Sequence, residues 1–338
     1  MMYIYSDDNA GQSLLSELVG AAHRGVRVKI IIDAFGSLFT AHHFFDPLRE
    51  AGGEIHRFND DWRLLYFFRN HQKFVISDST VALIGGFNIA EHYFSDGIEN
   101  GWCEIGLRVQ DAAVATLQAY FDRIWGAHSQ KPLRLRDLIG FSVEEQNDED
   151  ELEWLVGSPG IRRSPYANSL RRDLARAHYL SVLMAYFVPS ASLRRLLGRI
   201  ARRGKVRLVL PHATDVPISR YAAWHTYKRL LSEGCEIYEY LPRPLHAKLL
   251  VIDDVVYVGS ANIDFRSLHL NFEMTLRIQN AELAAEAREL IHKTIGLSQR
   301  ITQEVYDQNS GLLQRFIQRA SYLLLSRFDF LISRKFVK

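Results

Sequence analysis

The chain has 338 residues, 47% apolar and 24% charged, with 41 Lys and Arg against 39 Asp and Glu. That length accommodates two domains at roughly 150 residues each, and the composition is that of a globular protein with a real core. A net charge of +2 excludes the global basic field that would announce nucleic acid, so any anionic partner must be met locally. Cys103 and Cys235 stand far apart in no metal-like spacing, which suits a reducing compartment. The opening "MMYIYSDDNAG" shows no basic region followed by an apolar stretch, and no run reaches membrane-spanning length.

Leu14, Leu15, Leu18 and Ala22 recur at spacings of three and four and predict a helix with one buried face. A strand follows in "RGVRVKIII" (24–32), then another in "EAGGEIHRF" (50–58). The aromatic loop "DWRLLYFF" (61–68) precedes "HQKFVISDSTVALIGGFN" (71–88), a hairpin opening on His-x-Lys and closing on Gly-Gly-x-Asn. "WCEIGLRV" (102–109) is a further strand. The acidic "VEEQNDEDELEW" (143–154) is an exposed linker into the second half.

The second half repeats the first. Leu193, Leu196, Leu197 and Ile200 mark its helix, "RGKVRLVL" (203–210) and "SEGCEIYEY" (232–240) its strands, "HAKLLVIDDVVYVGSAN" (246–262) its hairpin and "NFEMTLRI" (271–278) its last strand. Such a duplication comes before any fold assignment. Strands alternating with helices predict an α/β fold, two pseudo-twofold-related α-β-α sandwich halves with mixed sheets. The expected division is 1–142, 143–300 and a tail over 301–338. The second half also has a helix (169–178) and a strand (179–188) ahead of its Leu193 helix. The first half has only "MMYIY", so an N-terminal helix and part of the first strand are expected to be missing.

Residues i and i+2 of a strand share a face, so His71 and Lys73 point together, as do His246 and Lys248. The return strand brings Asn88 or Asn262 back past a small-residue turn. Two such half-sites give two His, two Lys and two Asn around one cavity. That set suits a phosphate gaining charge in a transition state, with the imidazoles as nucleophile and proton donor. No metal cage is visible in the pattern, so metal-free, cofactor-free phosphodiester chemistry is expected. Glu104 and Glu273, at matched positions, are candidates to orient the two His through Nδ1. Asp78 and Asp253, at the hairpin turns, are expected to be structural.

This pattern, His-x-Lys-x4-Asp-x6-Gly-(Gly/Ser)-x-Asn in duplicate, resembles the phospholipase D superfamily over roughly residues 3–295. The flanks "RNHQKFVISD", "IGGFNIAEHY", "RPLHAKLLVIDD" and "GSANIDFRSLHLNFE" look most like bacterial cardiolipin synthases. The resemblance implies a ping-pong reaction on phosphatidylglycerol through a phosphatidyl-histidine, with His71 as nucleophile and His246 as acid and base, although the pseudo-symmetry of the sequence favours neither assignment. It leaves two alternatives: a phospholipase D or nuclease hydrolase with the same six residues, or an inactive membrane-bound scaffold. The second motif has one residue fewer between Asp253 and Gly259 than the first has between Asp78 and Gly85. A tighter turn or a lost bulge must absorb that change if Asn262 is to stay in the site.

A lipid enzyme must reach a bilayer. "GLLQRFIQRASYLLLSRFDFLISRKFVK" (311–338) holds six Arg or Lys against one Asp and has no evident core to join. It is expected to be a basic amphipathic helix on an anionic cytoplasmic membrane surface, placing the chain there peripherally. The loop 61–68 is expected either to grip acyl chains or to act as a lid.

Overall fold

A computed structural model describes residues 1–59, 69–94, 101–110, 112–130, 151–158 and 164–328. The linker expected before residue 151, the boundary at 142–143, the loop 61–68 and the tail beyond 328 lie outside the described residues.

The second half is built on an eight-stranded mixed sheet. Its strands are β6 (Leu152–Gly157), β7 (Tyr179–Met184), β8 (Lys205–Pro211), β9 (Glu236–Tyr240), β10 (Lys248–Ile252), β11 (Val255–Gly259), β12 (Glu273–Gln279) and β13 (Ser298–Ile301). They run in the order β13-β9-β8-β7-β10-β11-β12-β6. β7, β8 and β9 are parallel, while β10, β11, β12 and β6 continue antiparallel from β7.

The first half follows the same plan in shorter strands. β1 (Lys29–Asp33) and β2 (Glu54–Phe58) are parallel; β3 (Phe74–Ser77), β4 (Val81–Gly85) and β5 (Gly106–Gln110) are antiparallel. Residues 1–5 stand where β7 stands in the second half. Met2 bridges to Ile32, and the Met1 and Phe74 backbones exchange hydrogen bonds at 2.8 and 3.0 Å.

The predicted helices form where their apolar spacing put them. α1 (Asn9–His23) is capped by Asp8, which accepts from the Gly11 N–H, and buries Leu15. The helix Ala191–Arg203 is capped by Ser190 and buries Leu193, Leu196, Leu197 and Ile200. A central core joins the halves. Phe74, Ala82 and Ile84 of the first hairpin pack in one cluster with Leu249, Val251, Val256 and Val258 of the second. The alternate residues of the second hairpin, Leu250, Ile252 and Tyr257, enter a separate core under Leu170 and Leu174 of the helix Pro165–Arg176. Buried on both faces, β10 reads as the unbroken apolar run "KLLVI". The first-half counterparts of Leu250 and Tyr257 are Val75 and Leu83, which are exposed.

The one-residue difference between the motifs is absorbed at the turn. β3 and β4 pair Ser77 with Val81 across three residues; β10 and β11 pair Ile252 with Val255 across two. Phe74 faces Ile84 as Leu249 faces Val258, so Gly85 and Gly259, and after them Asn88 and Asn262, keep equivalent register.

One expectation is corrected. The helix Leu312–Leu323 does join the second half, packing along the helix Pro217–Ser232. It docks by its polar side, burying Gln318 and Ser321, while the Tyr322 hydroxyl accepts from Arg194 at 2.6 Å. Its apolar side faces outward.

Asp253 sits at φ 46 and accepts backbone N–H bonds from Tyr179 at 2.8 Å and His178 at 3.2 Å, tying the hairpin to the start of β7. The Asp253→Ala variant is expected to lose about 2 kcal/mol of stability, read by urea unfolding, because two donors lose their acceptor and Ala is poorer than Asp in the left-handed region.

Candidate active site

The motif residues of both halves meet where the two sheets face each other. Chain segments before and after the central hairpins cross between halves. Asn70 bridges in parallel to Phe272, and Cys103 to Leu245. The His71 N–H donates to Phe272 O at 2.9 Å, and the His246 N–H to Cys103 O at 2.8 Å. These bridges set the residue after each bridge partner, Glu273 or Glu104, against the histidine of the other half.

The carboxylate pairing is therefore crossed. His71 Nδ1–H donates to Glu273 Oε2 at 3.0 Å, and His246 Nδ1–H to Glu104 Oε2 at 2.5 Å. Each bond favours the tautomer protonated on Nδ1; Nε2 of His71 is left for chemistry, whereas the Lys248 ammonium lies 2.7 and 3.0 Å from Nδ1 and Nε2 of His246. Lys73 donates to the His71 carbonyl at 2.6 Å and lies 5.1 Å over the Tyr3 ring. Lys248 donates to the His246 carbonyl, and its ammonium lies 3.0 Å from His246 Nε2. The two asparagines hold equivalent posts. Asn88 Oδ1 accepts from the Ile4 N–H at 3.1 Å and Asn262 Oδ1 from the Tyr186 N–H at 3.4 Å. Gly86 packs so closely that a Cβ there would stand 2.7 Å from both Glu104 carboxylate oxygens and 2.9 Å from Lys248 Cδ, so only glycine fits.

All the sequence-derived candidates His71, Lys73, Asn88, Glu104, His246, Lys248, Asn262 and Glu273 converge here. Asp78 and Asp253 do not: both lie at the far hairpin turns, with Asp78 exposed. Several neighbours were not singled out from the sequence. Ser260 and Asn271 donate to Glu273 at 2.5 and 3.1 Å, and Ser267 also hydrogen-bonds this carboxylate, which therefore serves several donors besides His71. Asp33 Oδ2 accepts from the Asn70 N–H at 2.7 Å and holds the approach to His71. The Tyr3 ring meets His71 edge-on at 4.9 Å, whereas Tyr93, Trp102 and Tyr186 surround His246 at 5.2, 5.3 and 6.1 Å. Ser260 was the readable one: it stands in the motif where the first half has Gly86, and a hydroxyl beside a motif glycine invites a partner.

Burial governs the charges. It depresses His71 well below the usual histidine value, with Lys73 and Lys248 adding to the effect, and depresses His246 to about 4, with Lys248 adding. Burial likewise lowers Lys73 well below the ordinary lysine value and Lys248 to about 8. The two carboxylates part company. Burial lifts Glu273 to about 7, whereas for Glu104 the same burial is outweighed by Lys248 and His246, which hold it below the ordinary carboxylate value. Two buried lysines and two imidazoles that resist protonation face one firmly ionised carboxylate, Glu104, and the lysines regain their charge most readily beside an anion such as a phosphodiester. Among the described residues no three His, Cys, Asp or Glu side chains converge as metal ligands.

Known proteins share this chain's pattern. The family described as the phospholipase D-like domain of cardiolipin synthase matches residues 1–125 and 170–295. Cardiolipin synthase 1 of Staphylococcus epidermidis is 31% identical over 317 residues, covering 90% of this chain and 64% of that protein, so this chain spans under two thirds of that relative's length. A cardiolipin synthase of Listeria monocytogenes is 31% identical over 332 residues, covering 95% of this chain and 68% of that protein. The solved structure of a phosphatidylserine synthase from Haemophilus influenzae aligns at TM-score 0.74 and 14% identity, covering 97% of this chain and 88% of that one, a likeness of fold. With its duplicated motif matched in both halves, the chain belongs to the phospholipase D-like domain family of cardiolipin synthases.

Proposed function

We propose that this chain transfers a phosphatidyl group from one phosphatidylglycerol to the headgroup hydroxyl of another, forming cardiolipin. The observation that carries the proposal is the crossed pair of His–Glu couples, with Lys73, Lys248, Asn88 and Asn262 around them. In the first step His71 Nε2 attacks phosphorus. The P–N bond forms, the P–O bond to glycerol breaks, and His246 gives its Nε2 proton to the departing alkoxide. In the second step an acceptor hydroxyl attacks phosphorus, its proton passes to His246, and the P–N bond breaks. The lysines and asparagine amides stabilise the charge on the phosphoryl oxygens.

The electrostatic difference between the couples supports this division of labour. His246 alternates between neutral and charged forms, and it rests on Glu104, the carboxylate held ionised. His71 needs to stay neutral to attack, and it rests on Glu273, whose charge is shared with Ser260 and Asn271. A bound phosphodiester anion raises the His246 pKa from its depressed value, so substrate binding itself arms the acid. Water in place of the acceptor gives hydrolysis to phosphatidic acid. The shortened second hairpin keeps Asn262 in register with Asn88 and so gives no support to the alternative of an inactive scaffold.

Membrane contact belongs to the same proposal. No helix among the described residues is long and apolar enough to cross a membrane. The helix Leu312–Leu323 instead turns Leu312, Leu313 and Phe316 outward, at 89%, 70% and 70% exposure. An outward apolar stripe on a docked helix suits peripheral binding to an anionic bilayer.

Lipid mass spectrometry after incubation with phosphatidylglycerol vesicles tests the reaction. Cardiolipin and glycerol are expected from the unmodified chain and neither from His71→Ala; phosphatidic acid alone would establish a hydrolase. With an aryl phosphodiester, whose leaving group needs no proton, His246→Ala is expected to accumulate a covalent adduct on His71 in intact-protein mass spectra. The depressed His246 pKa sets a stability profile. The unfolded chain takes a proton near 6.5 and the folded site only near 4, so this contribution is present above about 6.5 and lost as pH falls towards 4. His246→Asn is therefore expected to lose about 2 kcal/mol less than the unmodified chain between pH 7 and pH 4.5, by urea unfolding. Glu273, raised to about 7, acts with the opposite sign between 4.5 and 7 in both proteins. For the membrane, replacing Leu312, Leu313 and Phe316 together by Ser is expected to weaken co-sedimentation with phosphatidylglycerol vesicles at least tenfold, roughly the loss from one buried large apolar side chain.

A further inference from the structure

The two half-sites are symmetric at the centre and different at the rim. Beside His246 stands Tyr186, whose N–H binds Asn262 and whose hydroxyl donates to Asp215 Oδ1 at 2.6 Å. The matching position in the first half is Ile4, whose N–H binds Asn88 in the same way but which carries no hydroxyl. Asp215 lies in the loop between β8 and the helix Pro217–Ser232. It is exposed, and no Lys, Arg or His pairs with it among the described residues. Its Oδ1 also accepts from Thr214 Oγ1 at 3.3 Å, which leaves Oδ2 for an incoming donor. Its charge acts on Lys248, Tyr93 and His92, so it belongs to the electrostatic surroundings of the site.

An unpaired carboxylate at the rim of a phosphate site works against phosphate binding. A group that binds hydroxyls, however, gains from a carboxylate acceptor, because charge-assisted hydrogen bonds are the stronger kind. We propose that Asp215, oriented by Tyr186, binds a second hydroxyl of a polyol while the first hydroxyl reacts beside His246. This rests on the phosphatidyl-transfer proposal and names the determinant of its acceptor. In-line displacement at phosphorus puts the leaving and the attacking alcohol in one position opposite His71, so a single subsite serves both. Water has one oxygen and cannot span His246 and Asp215. The subsite therefore favours transfer over hydrolysis, and glycerol headgroups over simple alcohols.

The test uses the whole chain with phosphatidylglycerol in phosphatidylcholine vesicles and isotopically labelled free glycerol. Labelled phosphatidylglycerol reports transfer; phosphatidic acid reports hydrolysis. Asp215→Ala is expected to lower the transfer-to-hydrolysis ratio about tenfold, to raise the KM for glycerol, and to erase the preference for glycerol over 1-propanol. Tyr186→Phe is expected to shift the ratio in the same direction. Melting temperatures of both variants report whether they fold. A fall in both products at an unchanged ratio, or an unchanged glycerol preference, would overturn the subsite and leave Asp215 as a loop contact. Absence of any phosphatidylglycerol turnover by the unmodified chain would overturn the phosphatidyl-transfer proposal, and the subsite with it.

Discussion

The site depends on each histidine taking its carboxylate from the opposite half. His71 and Glu273 are 202 residues apart in the chain, and His246 and Glu104 are 142 apart. In neither half does the imidazole take the glutamate of its own half. The backbone bridges Asn70 to Phe272 and Cys103 to Leu245 enforce the exchange, and the shared core between the two hairpins holds those bridges in place. Gly86 shows how tight the seam is: it is packed against Glu104 of its own half and Lys248 of the other. The interface between the copies is thereby also the place where the site residues meet.

The same seam buries two lysines, two glutamates and two histidines. Burying ions is unfavourable unless partners and hydrogen bonds compensate, and here compensation is incomplete. Lys73 and Lys248 are pushed towards neutrality, and both imidazoles resist protonation. A core chosen for stability alone would hold apolar residues here. The phosphodiester proposed as substrate would bring to this seam the negative charge that lets the lysines stay protonated.

Much of this was legible in the chain. Period-two spacing paired each His with its Lys, although His71, Lys73 and His246 stand just ahead of strands β3 and β10 rather than within them, and the repeated Gly-x-x-Asn placed the asparagines. Leu193, Leu196, Leu197 and Ile200 gave their helix for the same geometric reason. The crossing of the glutamates was not legible. Matched positions identified Glu104 and Glu273 as orienters, yet which His each one meets depends on how the halves dock, and local spacing carries no information about that. The rim aromatics escaped for a related reason: Tyr3, Tyr93, Trp102 and Tyr186 come from four separate segments. The tail shows a different limit. Periodicity in residues 312–323 reveals that the helix has an apolar side, but not which side meets protein. Gln318 and Tyr322 find hydrogen-bond partners inside and Ser321 is buried beside them, so the polar side docks and the apolar side is left outward.

Symmetry at the centre and asymmetry at the rim fit a double displacement. Phosphorus must be approached from two directions, which two equivalent His–Lys–Asn sets provide. In the proposed reaction, however, the alcohols enter and leave on one side only, because the covalent intermediate would occupy the other. Duplication supplies the phosphate cradle in a single step, but it places nothing on the rim that distinguishes nucleophile from acid. That distinction rests on residues without a counterpart: Ser260 on Glu273, three aromatic rings around His246 against Tyr3 at His71, and Asp215 behind Tyr186. Two of these differences, Ser260 against Gly86 and Tyr186 against Ile4, fall at positions the two halves share in register. The chemistry of the two histidines can therefore diverge while the register that brings them together stays fixed.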